Sequence, residues 1–126
     1  MTYPENLQYT KDHEWVRIEG STGWLGVTDF AQSELGDVVF VELPAIGSVL
    51  EQGKSFGTIE AVKAVSDLYA PVSGVVLDVN KEVQDSPEVV NKEPYERGWM
   101  LKIKIENPAE VSHLLDAAAY KKLVGA

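Results

Sequence analysis

From Trp99 to Glu106 the chain alternates, with Trp99, Leu101, Ile103 and Ile105 on one side and Lys102, Lys104 and Glu106 on the other. A period of two belongs to a strand with one face on a core and the other in water. One strand buries nothing alone, so this segment commits the chain to a sheet. Partners lie along the sequence. His13 to Glu19 alternates with Glu14, Val16 and Ile18 on one face, Gly20 to Gly23 has turn chemistry, and Trp24 to Val27 returns to close a hairpin. Asp37 to Leu43 is nearly continuous in β-branched and aromatic residues and stops at Pro44; Gly47 and Gly53 bracket another short extended piece. Gly74 to Asn80 reads as a further strand and can be laid on Gly36 to Glu42, matching at the glycine and at two valines. Short, regularly spaced strands with few helices predict a flattened sandwich or barrel.

Two helical segments carry recognisable ends. Thr28 is placed to cap a short helix, with Asp29 at its positive N-terminus and Gly36 at its C′ position. Near the C-terminus, Asn107 as N-cap, Pro108 at N1 and Glu110 at N3 form a variant of the capping box. The helix they open is expected to carry Val111, Leu114, Leu115 and Ala118 on one stripe, with Asp116 capping a second short turn that ends near Gly125. No linker or low-complexity segment divides the 126 residues, so a single domain spanning 1–126 is expected.

Composition narrows the function classes. With 44% hydrophobic residues the chain can build a core without crosslinks, and the lack of cysteine excludes disulfides and thiolate metal sites. A net charge of −9 argues against nucleic acid and anionic membrane surfaces, and suits either plain solubility or steering toward basic patches on partner proteins. No apolar run approaches the roughly 20 residues of a membrane span. The N-terminal residues Met1 to Asn6 lack both a basic leader and an arginine-rich transit pattern, so the bacterial cytoplasm is the expected location, with a processed mitochondrial form as the alternative. His13 and His113 stand a hundred residues apart with no third ligand spacing, and read as surface or core histidines rather than a metal site. Trp15, Trp24 and Trp99 read as core packing.

Lys63, within Glu60 to Val65, is the residue with the most chemical interest. A lysine at a hairpin tip projects its amine away from the scaffold, where a modifying enzyme can acylate it and remove its charge. Its local sequence does not show such a tip: Glu60 to Val65 contains no Gly, Pro, Asn or Asp, and propensity alone favours a helix there. Flanking alternation, with Phe56, Thr58 and Glu60 before and Val65, Asp67 and Tyr69 after, supports strands instead.

The order of short motifs is more specific. Tyr9 to Val16, Gly26 to Gln32, Leu35 to Pro44, Phe56-Gly57, Val62 to Asp67, Tyr69 to Gly74, Val90-Asn91, Pro94-Tyr95 and Gly98-Trp99 follow one another over about ninety positions. In this order they resemble the H-protein family of the glycine cleavage system over almost the whole chain, with Ala61 departing from the serine often found there. The resemblance implies a mainly β, barrel-sandwich hybrid of the lipoyl/biotinyl-domain type with short peripheral helices and a C-terminal helical segment at about 108–124. It implies two-fold pseudosymmetry in which each half supplies one sheet, and a hairpin at about 54–70 with Lys63 at its tip. It implies lipoate as the covalent group on Lys63; the methionine pair that typically flanks a biotinyl lysine is absent, since Val62 and Ala64 stand there.

The same resemblance implies a carrier rather than an enzyme. Its partners would be the glycine decarboxylase (P protein), the aminomethyltransferase (T protein), the dihydrolipoyl dehydrogenase (L protein) and a lipoate ligase or lipoyl transferase, with the carrier itself a monomer. Glu14 and Asp67 are the candidate carboxylates of a cleft in which the loaded arm rests, where they would hold a cationic amine. A lipoyl relay to other complexes is the alternative carrier role. A small hydrolase or transferase acting through Lys63 finds no phosphate loop or nucleophile–base spacing to support it.

Overall fold

Leu101–Ile105, the strictly alternating segment, is one of the inner strands of a six-stranded antiparallel sheet. In a computed structural model that describes residues 1–126, the strands are β1 (Gln8–Tyr9), β2 (Glu14–Glu19), β3 (Thr22–Val27), β4 (Val38–Glu42), β5 (Val49–Leu50), β6 (Ser55–Ala61), β7 (Val65–Tyr69), β8 (Gly74–Val79) and β9 (Leu101–Ile105). The larger sheet runs β1-β2-β3-β9-β8-β5, and the smaller runs β4-β6-β7. Four helices lie around them: α1 (Asp29–Leu35), α2 (Lys81–Asp85), α3 (Val89–Lys92) and α4 (Ala117–Val124), with a 3-10 helix at Pro108–His113. The two sheets are antiparallel throughout and do not close into a barrel. β4 and β8 fall in different sheets, but the larger sheet draws strands from both ends and the middle of the chain, so neither half supplies a sheet by itself.

The alternation of β9 builds the main core. Leu101, Ile103 and Ile105 are buried, Lys104 is exposed, and the same cluster takes in Val16, Leu25, Val41, Ile59, Leu68 and Val76 from the strands around it. Trp99 lies before the strand and packs, partly buried, into a second cluster instead. Trp24 is also only half-buried: Arg17 and Lys102 lie over its ring, 4.7 and 5.3 Å from the centroid. Its apolar body packs against the second cluster and is covered on the outside by the two cations.

β2 is covered on both faces. Glu14 and Val16 point toward the main core side, while Trp15 sits wholly buried on the other side, its indole N–H donating to the Pro94 carbonyl at 3.0 Å. There the second core gathers Tyr3, Leu7, Tyr9, Ala117 and Tyr120, with Tyr9 and Tyr120 stacked at 4.7 Å. The hairpin register puts Glu14 opposite Val27 and Glu19 opposite Thr22, leaving Gly20 and Ser21 as the turn, with Gly20 in the left-handed region at φ 63°.

The C-terminal segment departs from one amphipathic stripe. The 3-10 helix ends at His113, Leu115 exchanges both backbone hydrogen bonds with Tyr9 at 2.8 Å, and α4 starts afresh with Asp116 capping the Ala119 N–H. Ala118 is therefore exposed, and Ala117 and Tyr120 are the buried positions. Glu110 does not complete a capping box. Its carboxylate accepts from the Ser73 N–H at 2.7 Å and the Ser73 hydroxyl at 3.0 Å, pinning the turn before β8. No helix is long and apolar enough to cross a membrane.

Ile103→Ala empties a closed part of the main core and is expected to lower the unfolding free energy by roughly 2–5 kcal/mol. Lys104→Ala, the next residue on the solvent face, is expected to cost under about 0.5 kcal/mol. Urea denaturation measures both, and equal losses would show that the strand faces are assigned wrongly.

Candidate functional site

Lys63 stands between β6 and β7, where the Ala61 N–H donates to the Ala64 carbonyl at 2.7 Å and closes a tight turn over Val62 and Lys63. No residue in this turn needs a left-handed backbone, which is consistent with its ordinary composition. The turn is also held from outside. The Val62 N–H donates to the Asp37 carbonyl at 3.1 Å, tying the tip to the corner between α1 and β4. Val62 is 76% exposed, and Lys63 makes no ion pair, so its amine is free at the surface.

The lysine stem is not splayed into solvent. Gly36, at φ 81°, closes α1 as its capping glycine, and a Cβ placed on it would come 3.2 Å from Lys63 Cε and 3.8 Å from Nζ. The left-handed backbone and the missing side chain both serve one end: they let the stem cross the end of the helix.

Beside this crossing opens a cleft of about 110 Å³, lined by Asp12, His13, Glu14, Val27, Ala31, Leu35, Ile59, Ser66, Asp67 and Leu68. Val27, Ile59 and Leu68 are buried and form its floor, and Ala31 and Leu35 of α1 form a wall. Leu35 precedes Gly36, so the outer end of the lysine stem lies next to that wall. Glu14 and Asp67 meet in this cleft, although they come from different sheets. They differ in setting: Asp67 is exposed on β7, while Glu14 is 2% exposed on β2.

Glu14 is the buried acid of the molecule. One carboxyl oxygen accepts from the Thr10 hydroxyl at 2.7 Å and the other from the Tyr69 N–H at 3.3 Å. Burial pushes its carboxyl up to about 8; the two hydrogen bonds pull it back only in part, and the charge of Asp12 adds to the rise. His13 comes into the cleft through a left-handed backbone at φ 71°, held by hydrogen bonds from its N–H to Thr10 and from the Thr28 N–H to its carbonyl. Its Nδ1 lies 2.8 Å from the Tyr120 hydroxyl, which lies 2.7 Å from the Thr28 hydroxyl. Burial pushes the imidazole below its ordinary value against the pull of Asp12 and Glu34. Thr28 keeps its expected capping role as well, accepting from the Ala31 N–H at 3.2 Å.

Sequence reasoning singled out Glu14 and Asp67 but passed over Asp12 and His13 as cleft residues. Their only signal was adjacency to Glu14 in the same motif, because the turn that aims them inward depends on the strained backbone at His13. The other histidine, His113, is exposed and pairs with Gln52 Oε1 at 3.1 Å, well away from this cleft's lining.

Residues 7–126 match the model of the glycine cleavage H-protein family. A glycine cleavage system H protein of Staphylococcus carnosus is 52% identical over 125 residues, covering 99% of both chains. One from Symbiobacterium thermophilum is 56% identical over 117 residues, covering 93% of this chain and 91% of the other. The crystal structure of a glycine cleavage system H protein from Mycobacterium marinum superposes with a TM-score of 0.87 at 36% identity, covering 98% of this chain and 99% of that one. Matching in sequence almost end to end and in the course of its backbone, the chain belongs to the glycine cleavage H-protein family.

Proposed function

We propose that the whole chain is one carrier domain of the glycine cleavage system, bearing a lipoyl group on Lys63 and working in the bacterial cytoplasm as a monomer. One observation supports this above the others: a free amine stands on a braced hairpin tip whose stem leads past Gly36 to the cleft. The residues present fit a lipoyl group, since the amine is unpaired and the cleft joins an aliphatic floor and wall to carboxylates at one end. When bound, that group supplies the sulfur chemistry that takes up an aminomethyl unit and is later reoxidised. The protein contributes position: tethering keeps the arm at high effective concentration at each docked enzyme. Those enzymes, on this reading, are the glycine decarboxylase (P protein), the aminomethyltransferase (T protein) and the dihydrolipoyl dehydrogenase (L protein), with a lipoate ligase or lipoyl transferase acting beforehand. The chain itself has no catalytic part in these steps.

Glu14 and Asp67 are assigned to the far end of the arm. With its carboxyl at about 8, Glu14 is largely protonated at neutral pH while no cation lies beside it. An ammonium group brought alongside favours the carboxylate. Capture of a cationic amine is thereby coupled to release of a proton, and it strengthens as pH rises toward 8. Exposed Asp67 and Asp12 add negative charge at the rim.

Intact-mass measurement after expression with lipoate tests the assignment: the parent chain is expected to gain one lipoyl unit and Lys63→Arg none, because arginine keeps the charge but offers no such amine. A lipoylated Lys63→Arg protein would remove it. The buried acid gives a separate test. Its folded carboxyl lies above the unfolded value of 4.5, so its contribution to stability is complete below 4.5 and is lost as pH rises through about 8. Glu14→Gln keeps an acceptor for Tyr69 and cannot ionise. The urea midpoint of the parent should fall between about pH 5 and pH 9, the midpoint of the variant should fall less, and the variant should be the more stable of the two at about pH 9. Parallel profiles would show that Glu14 is not the titrating group.

A further inference from the structure

Resting on the carrier reading above, we infer that Asn91 is the positioning residue of the Lys63 tether. It belongs to none of the surfaces that touch the arm: it lies on α3, and it is absent from the cleft lining. Its side chain instead reaches the corner between α1 and β4. Oδ1 accepts from the Val38 N–H at 2.9 Å, and Nδ2 donates to the Gly36 carbonyl at 2.8 Å and to Gln32 Oε1 at 3.1 Å. One amide group thus secures both sides of Asp37, using its acceptor and both donors.

Asp37 is where the hairpin tip is tied, through the Val62 N–H, and Gly36 is what the lysine stem crosses. The chain of contacts runs from Asn91 to the corner, and from the corner to the residue before Lys63 and to the lysine's own methylenes. The small helix is itself fixed, because Val89 and Val90 are buried in the main core. The corner's other holds come from its flanks: the Gly36 N–H donates to the Gln32 carbonyl at 3.0 Å, and Val38 is buried in the main core. Gly36 sits in a left-handed conformation, and the register between β4 and β6 shifts between Val38 and Phe40, so the ladder there is interrupted. Without the amide the corner loses three hydrogen bonds at once, and the tip loses its fixed anchor.

A lysine presented to an acylating enzyme must meet the acyl donor in a narrow geometry, and a small misplacement costs turnover rather than affinity. Asn91→Ala should therefore lower kcat for lipoate-ligase acylation of Lys63 about tenfold with KM little changed, while exchange of the Val62 amide hydrogen quickens at least tenfold. Asn91→Asp retains the acceptor for Val38 but sets a carboxylate oxygen against the Gly36 carbonyl, and should give a smaller loss of the same kind. Ile103→Ala removes main-core packing from β9 and leaves α3 and the amide in place; it should lower thermal stability without changing kcat or Val62 exchange. Equal kcat in parent and Asn91→Ala, or a fall in kcat that Ile103→Ala reproduces at matched stability, would overturn the inference. A parent chain that acquires no lipoyl group would remove the carrier reading, and this role of Asn91 with it, whatever the exchange of Val62 shows.

Discussion

A tether works only if its root is fixed while its end is free, and here the root is fixed by a hydrogen bond from outside its own turn. The Val62 N–H meets the Asp37 carbonyl, so the tip of the β6–β7 hairpin is docked on the corner between α1 and β4. That contact sets the lysine stem over Gly36, with its outer end next to the cleft wall made by α1. The corner is in turn placed by its two flanking elements. Thr28 caps the start of α1, and β4 pairs with β6, the strand that leads into the tip. The loop is closed on itself: the strand that carries the lysine also positions the corner that holds it.

The cleft depends on a second constraint, the burial of β2 on both faces. Trp15 fills the core beneath α4, and the strand's alternation then forces Glu14 toward the opposite side, into a position where water is nearly excluded. A carboxyl there is costly to ionise. Thr10 and Tyr69 supply its two hydrogen bonds, and the left-handed backbone at His13 costs a further roughly 1–3 kcal/mol. Strain and a buried acid lie side by side at one place, with the Tyr120 hydroxyl of α4 bracing His13 from behind. His13 is the one non-glycine residue at positive φ and Glu14 the one buried acid, so these local costs fall together at the cleft.

Much of the fold was legible. The β9 alternation gave the core face at Leu101, Ile103 and Ile105, and the Thr28 and Gly36 signals bounded α1. What failed did so for non-local reasons. The single stripe from Val111 to Ala118 is broken because Leu115 is recruited to pair with Tyr9, a contact more than a hundred residues away in sequence. Glu110 carried a capping signal but is used by Ser73. α2 and α3 gave no periodic signal at their lengths of five and four residues. At the site, Glu14 and Asp67 were reachable through motif resemblance, whereas the hairpin tip could not be read from Glu60 to Val65 at all. Its turn lacks turn residues because its shape is specified from Asp37 and Asn91, neither of them adjacent in the chain.

Backbone order at the tip tests the central claim most directly, and nitrogen-15 relaxation of the uniformly labelled chain measures it. A root fixed by the Asp37 contact predicts order parameters for the Val62, Lys63 and Ala64 amides near about 0.85, as in rigid strands, alongside a mobile lysine side chain. Values below about 0.6 at those three amides would contradict the account, because the tip would then be a flexible loop and the corner beneath it would hold nothing in place.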